Sequence, residues 1–329
     1  METKTPAKPY TSKPKQTRAP DPFMIPDENN PLIPDSFLEP SAPPSAGAGH
    51  ALPESNAIAT SHPIAPPQPQ PHAFQQYPED LRVPWSWPDL LLLVAMALIG
   101  AFLVSIVLVG VFAAFGMTPS MLQNSTNDKS LFLIVNQAVL SLGLLGYLAA
   151  QIRVRFQSPF WRTIGWRSLH TGSIPRRVVY LSLVLGGFSL SLLVQLASAA
   201  LQTKAKLPIQ EYFQDPRSAL LLMLMSILLA PLVEETIFRG YIYPVLARSF
   251  GVGASVVIAG TLFGLLHAPQ LWGGWGQILL LIGVGIIFTA ARAISRTVVA
   301  SYILHVSYNS FLFIAFLVAS HGLRHFPSP

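Results

Sequence analysis

From Trp87 onward the chain is a succession of apolar segments, and nothing else about it limits the possible folds so much. We place them at 89–116, 130–152, 178–201, 218–238, 253–269, 276–291 and 297–320. About 20 helical residues cross the hydrocarbon of a bilayer, so each segment is long enough, or nearly so, to span one. The expected fold is all-α: a polytopic membrane helical bundle of about seven transmembrane helices, integral and multi-pass. No internal repeat at a solenoid period interrupts this pattern.

The part before the bundle is chemically different. Residues 1–88 hold 20 of the 30 prolines, spaced with Ser, Ala, Gln and His as in Pro63–Pro71. Such a composition buries too little apolar surface to offset chain entropy. Residues 1–84 are therefore expected to be a disordered, proline-rich cytosolic tail with polyproline II bias, and residues 85–322 the folded bundle. No secretory signal is read, because Met1 is followed by roughly eighty polar residues before any apolar run. The chain has no cysteine, which removes disulfides, thiolate metal sites and a cysteine nucleophile.

The net charge is +6. Most cations flank apolar spans, so the charge points to membrane topology and lipid rather than to nucleic acid. With the N-terminus in the cytosol and the spans alternating, the inside segments carry 16 of the 21 Lys and Arg residues. The outside keeps Lys129, Lys204, Lys206, Arg217 and Arg324. That bias supports an N-in, C-out orientation. Trp85 and Trp87 stand where an interfacial aromatic anchor belongs. Segment 153–177 interleaves aromatics with arginines, as in Phe160–Trp161–Arg162, and is expected to lie on cytosolic headgroups or to be a plain charged loop.

Against this apolar background a few polar residues stand out. Glu234 and Glu235 are the carboxylates well inside a span, and Arg239 closes the same run. His267 and His305 are the histidines equally deep, and Asn309 follows one turn after His305. Ionisable groups in hydrocarbon are costly and mark function by default.

Spacing brings these residues to one level. The fourth and fifth spans should form a hairpin about Ser249–Val252, the fourth helix continuing past Tyr241 and Leu246 to reach it. Glu234 and His267 then each lie roughly 22 Å from the turn. The sixth and seventh spans should turn near Ala293–Ser295, which puts His305 and Asn309 roughly 15 and 21 Å along the last helix. Four polar groups from three helices meet near the membrane midplane, in a pocket expected to open toward the cytosol. Glu235 and Arg239 are i, i+4 and can pair, whereas Glu234 points about 100° away around the axis. Glu235–Arg239 reads as a structural ion pair, and Glu234 as the free, catalytic carboxylate. Pro231 removes a helical hydrogen bond just before them.

Three motifs contain these residues: EExxxRG at Glu234–Gly240, FxxxH at Phe263–His267 and HxxxN at His305–Asn309. In this order, on successive apolar spans, they resemble the CPBP intramembrane proteases, the family of type II CAAX prenyl endopeptidases and bacteriocin-processing relatives. The resemblance covers about residues 85–320. It implies peptide-bond hydrolysis by a glutamate-type mechanism. Glu234 and His267 would activate a water, and His305 and Asn309 would form the oxyanion hole, with Glu235 and Arg239 in support. A membrane-associated peptide or lipidated protein would be the substrate, cut near its C-terminus.

No cofactor is expected. The alternative is zinc held by Glu234, His267 and His305, but Asn is a poor zinc ligand and no HExxH is present. GxSxG is absent as well. The competing readings are a polar network that only fixes helix packing in a membrane scaffold, and a proton-coupled transporter, for which paired broken helices and pseudo-symmetry are missing. The expected location is a bacterial plasma membrane, with the endoplasmic reticulum as the alternative. The sequence carries no signal for oligomeric state.

Overall fold

A computed structural model describes residues 77–118, 120, 125–201 and 216–323. The tail expected over 1–84 lies outside them up to residue 76, as do Lys204, Lys206 and Arg324. The described residues form helices and no strand. In chain order these are α1 (Trp87–Ala114), α2 (Thr126–Ala150), the short α3 (Phe160–Thr163), α4 (Arg176–Leu201), α5 (Pro216–Leu224) and α6 (Ala230–Glu235). Next come α7 (Tyr243–Leu266), α8 (Trp275–Ser295) and α9 (Val298–Ala319).

Among the described residues, six helical stretches are long and apolar enough to cross a membrane. One of them, Pro216–Leu266, is 51 residues long, far more than a single crossing needs. It does not run straight. Gly251 breaks it with φ 77° and ψ 163°, a region open to glycine and strained for other residues. The Phe238 and Phe263 rings lie 5.4 Å apart on either side of this break, so the chain folds back there. The expected hairpin is present, and the stretch supplies two antiparallel limbs, which makes seven among the described residues.

The bundle is apolar outside as well as inside. Leu91, Leu98, Phe102, Ile106 and Val107 on α1 are all more than half exposed. In water a row of this size would drive association; in hydrocarbon it is the lipid-facing surface. The protein is an integral, multi-pass membrane protein.

Close packing depends on glycine where α7 meets α8. A Cβ on Gly260 would lie 2.4 Å from the Ile286 nitrogen, and one on Gly285 would lie 2.5 Å from the Gly260 carbonyl oxygen. Small residues at such positions let backbones approach, as membrane helices require.

One end of the bundle is tied together by polar contacts. Trp87 Nε1 donates to Ser249 Oγ at 2.8 Å, and Arg248 donates to the carbonyls of Val83 and Trp85. Thr297 Oγ1 donates to the Arg167 carbonyl at 2.6 Å. Arg292 pairs with Asp80 at 2.9 Å, and Arg155 pairs with Asp89. We call this the arginine end. The far end holds the C-terminus of α1, the N-terminus of α2 and the α7–α8 connection.

Four expectations need correction. Trp85 is not an interfacial anchor: it is fully buried, stacked at 4.7 Å on Tyr241, with its N–H donated to the Tyr241 carbonyl. Trp87, 41 % exposed, fits the anchor role. Segment 153–177 does not simply lie on headgroups. Phe160 and Ile164 enter the core, and Trp166 Nε1 reaches Thr236 Oγ1 at 3.1 Å. Arg239, counted among the loop cations, is wholly buried. Packing also begins before residue 85, because Leu81 and Val83 are core residues.

Candidate active site

Local helix geometry sets the site. Residues Met225–Leu229 and Thr236–Ile242 are wound as π-helix on either side of α6. π-segments inside helices are frequent at functional positions. In the first, the Ala230 N–H bonds the Met225 carbonyl. Continuing that register, the Ser226 carbonyl would receive the N–H of residue 231, which is proline and has none. The freed carbonyl instead accepts from Asn309 Nδ2 at 2.7 Å. Pro231 was expected to disturb the helix, and it does so by handing α9 a bond.

Glu234 and Glu235 face different ways, as their 100° offset requires. The Glu235 side chain is fully buried. Its Oε1 accepts from Arg239 at 3.0 Å and from His305 Nδ1 at 2.9 Å. Arg239 also donates to the Gly285 carbonyl at 2.8 Å and to Thr289 Oγ1 at 3.2 Å. Its guanidinium carbon lies 4.5 Å from the Phe263 ring centre. A guanidinium bonded through three nitrogens and stacked on a ring suits burial.

The Glu234 side chain, 21 % exposed, looks into a cavity. His267 Nε2 lies 3.9 Å from its Oε1, and His305 Nε2 lies 3.7 Å from its Oε2. Glu234 and His267 lie at one depth on opposite limbs of the hairpin, where equal distance from the turn puts them. Both imidazoles are oriented from behind. His267 Nδ1 is 2.9 Å from the Phe263 carbonyl, an acceptor only, so Nδ1 carries the hydrogen. The Phe–x–x–x–His spacing is this i, i+4 bond. His305 is held by Glu235 in the same way. Each ring therefore turns Nε2 toward Glu234.

The site thus joins Glu234, His267, His305, Glu235 and Arg239. Asn309 lines the same cavity, with one amide hydrogen committed to Ser226. The sequence reading missed the Glu235–His305 bond, because i, i+4 pairing within one helix accounted for Glu235 already. It also missed Thr289 and Gly285, which give no signal in an apolar helix.

Among the described residues no group of three His, Asp or Glu side chains is arranged to hold a metal ion.

The cavity has a volume of about 530 Å³. Phe263 and Phe288 line it beside His305. Its walls include Ser198, Leu222, Gln270, Gln277 and Phe316, which sit within two turns of helix ends or in a connection at the far end. The pocket was expected to open toward the cytosol, on the side assigned to the arginine-rich loops; its lining instead runs from the site to residues at the far end and includes none from those loops. Helix α7 finishes at Leu266, so His267 is one short connection from the far end and roughly 24 Å from Gly251. Toward the arginine end the way is filled by Arg239, Thr289 and Thr236, all fully buried.

Residues 216–311 match the family model of the type II CAAX prenyl endopeptidases, Rce1-like. Over this stretch the chain is similar to that family. The match contains all three motifs, and the family is one of proteases. No curated protein and no solved structure matches the chain. Within the matched segment fall α5–α8 and the part of α9 that carries His305 and Asn309.

Proposed function

We propose that the protein is an intramembrane endopeptidase that hydrolyses a peptide bond near the C-terminus of a membrane-associated peptide, CAAX-like or other. The observation that carries this reading is one carboxylate faced by the Nε2 atoms of two imidazoles, both oriented from behind. A water placed beside Glu234 comes within hydrogen-bond reach, about 2.8 Å, of the carboxylate and of His267 Nε2. Glu234 takes a proton from this water as its oxygen bonds to the scissile carbonyl carbon. The tetrahedral intermediate then collapses, the C–N bond breaks, and Glu234 returns the proton to the leaving amine.

The developing oxyanion needs donors aimed at it. The second amide hydrogen of Asn309 is one. His305 is the other, in its doubly protonated form: with the Nδ1–H spent on Glu235, only the imidazolium has an Nε2–H to give. Charge balance supports that form. Glu234 and Glu235 face Arg239 alone, and an imidazolium brings the buried group to neutrality. Glu235 is then a positioning residue for His305 as well as the partner of Arg239. No metal takes part in this scheme.

The test is cleavage of a membrane-tethered peptide by purified protein in vesicles. Glu234→Gln is expected to lower the rate by about 10²- to 10⁴-fold with the melting temperature unchanged. Unaltered cleavage by that variant rules out the assignment. A chelator is expected to leave the rate unchanged; loss of activity restored by zinc would replace this mechanism with a metal-dependent one.

A further inference from the structure

The catalytic cavity and the positive charge of this molecule lie at opposite ends. At the arginine end stand Arg82, Arg155, Arg167, Arg248, Arg292 and Arg296, with further arginines in the same connections. At the far end the described residues offer Lys129 and Arg217 against Asp128. Cytoplasmic connections are the ones that collect Lys and Arg, so the arginine end faces the cytosol.

The mouth of the cavity is fixed independently of that rule. Gln277 lies in the first turn of α8, Phe316 in the last turn of α9, and Gln270 in the α7–α8 connection. Trp272 and Trp275, each 62 % exposed and 5.1 Å apart, mark the same level. Such a pair sits at a membrane–water boundary. From it, His267 is less than two turns inward. The cytosolic side of the site is closed by the buried Arg239–Glu235–Thr289 layer and by Trp166 on Tyr302, 4.9 Å between ring centres.

The lining says what the mouth accepts. Among the described residues that line the cavity there is no Lys, Arg or Asp, and Glu234 is the one glutamate. Asn136, Gln137, Gln270 and Gln277 supply carboxamides along the walls. Carboxamides both donate and accept, which matches the N–H and C=O groups of an extended peptide, and the apolar remainder matches uncharged side chains.

We propose that the site takes its substrate from the extracytosolic face: an uncharged, extended segment of a membrane-anchored peptide whose scissile bond lies on that side. The proposal rests on the hydrolase reading for its chemistry but not for its geometry, and the two are tested apart.

The absence of cysteine makes the test direct. Single-cysteine variants Leu271→Cys and Trp272→Cys at the mouth, Gln277→Cys on the cavity wall and Ile174→Cys at the arginine end are exposed to a small, permanently charged methanethiosulfonate. Right-side-out and inverted vesicles are compared. Two mouth positions guard against one variant failing to fold. The mouth and wall cysteines are expected to react in right-side-out vesicles, and Ile174→Cys only in inverted ones. The reverse pattern overturns the proposal. So does reaction at the mouth with Gln277→Cys protected from that side, since the cavity would then be shut there.

Cleavage is read separately with a tethered uncharged peptide. It is expected to be cut when displayed outside right-side-out vesicles and spared when displayed outside inverted ones; cleavage confined to the inverted vesicles also overturns the proposal. If the labelling pattern holds while Glu234→Gln leaves product formation unchanged, the hydrolase reading fails and the sidedness stands.

Discussion

Two neighbouring glutamates in one helix have different surroundings, and the difference lies in what each can touch. Glu234 has the cavity and two Nε2 atoms before it, while Glu235 is enclosed with Arg239 and His305. Removing one partner of a buried ion pair leaves an uncompensated charge, at a cost of about 3–5 kcal/mol. Glu235→Gln is therefore expected to lower thermal stability in detergent far more than Glu234→Gln does. A Glu235→Gln protein that melts like the parent would show that Arg239 has other sufficient partners. Asn309→Ala is expected to slow cleavage by about 10²- to 10³-fold, the range for loss of an oxyanion donor, with KM little changed. A change confined to KM would move Asn309 from the transition state to substrate binding. The free and the paired glutamate could be told apart in the sequence, because the 100° step and the i, i+4 rule are local. The hydrogen bond from His305 to Glu235 joins residues 70 apart and has no local signature.

At the scale of the element, the hairpin was readable because Ser249–Val252 gave a turn and equal counting did the rest. The π-segments were not readable. They arise where tertiary bonds compete with the i→i−4 ladder, and the sequence shows only Pro231. That proline gives a test by double-mutant cycle. Pro231→Ala restores an N–H able to claim the Ser226 carbonyl, which Asn309 now holds. The effects of Pro231→Ala and Asn309→Ala on cleavage rate are expected to be non-additive, as for residues sharing one partner. Simple additivity would mean that the shared carbonyl does not couple them. The α7–α8 contact gives another. Gly285→Ala places a methyl group against the Gly260 backbone and is expected to lower the melting temperature, whereas Gly253→Ala meets nothing within 4 Å. Equal melting temperatures would show that the two helices can separate without penalty.

At the scale of the whole molecule, hydrophobicity and charge placement revealed the crossings and the level at which polar residues meet, but not which way the cavity opens. Depth along a helix is a count of residues. Openness depends on what fills the space beyond, and here that filling comes from Arg239, Thr236 and segment 159–167, which composition alone had placed on the surface. The same end is fastened by the short helix Glu79–Leu81, whose Asp80 meets the wholly buried Arg292. An arginine enclosed with a single carboxylate partner loses its compensation if that partner is neutralised. Asp80→Asn is expected to destabilise the bundle by about 3 kcal/mol, read as a lower melting temperature, even though residue 80 precedes every membrane-spanning helix. The cavity mouth, remote from this contact, should keep its thiol-labelling pattern in the Asp80→Asn variant below its melting point. Loss of that pattern would mean that closure of the arginine end and opening of the far end are one coupled property of the fold.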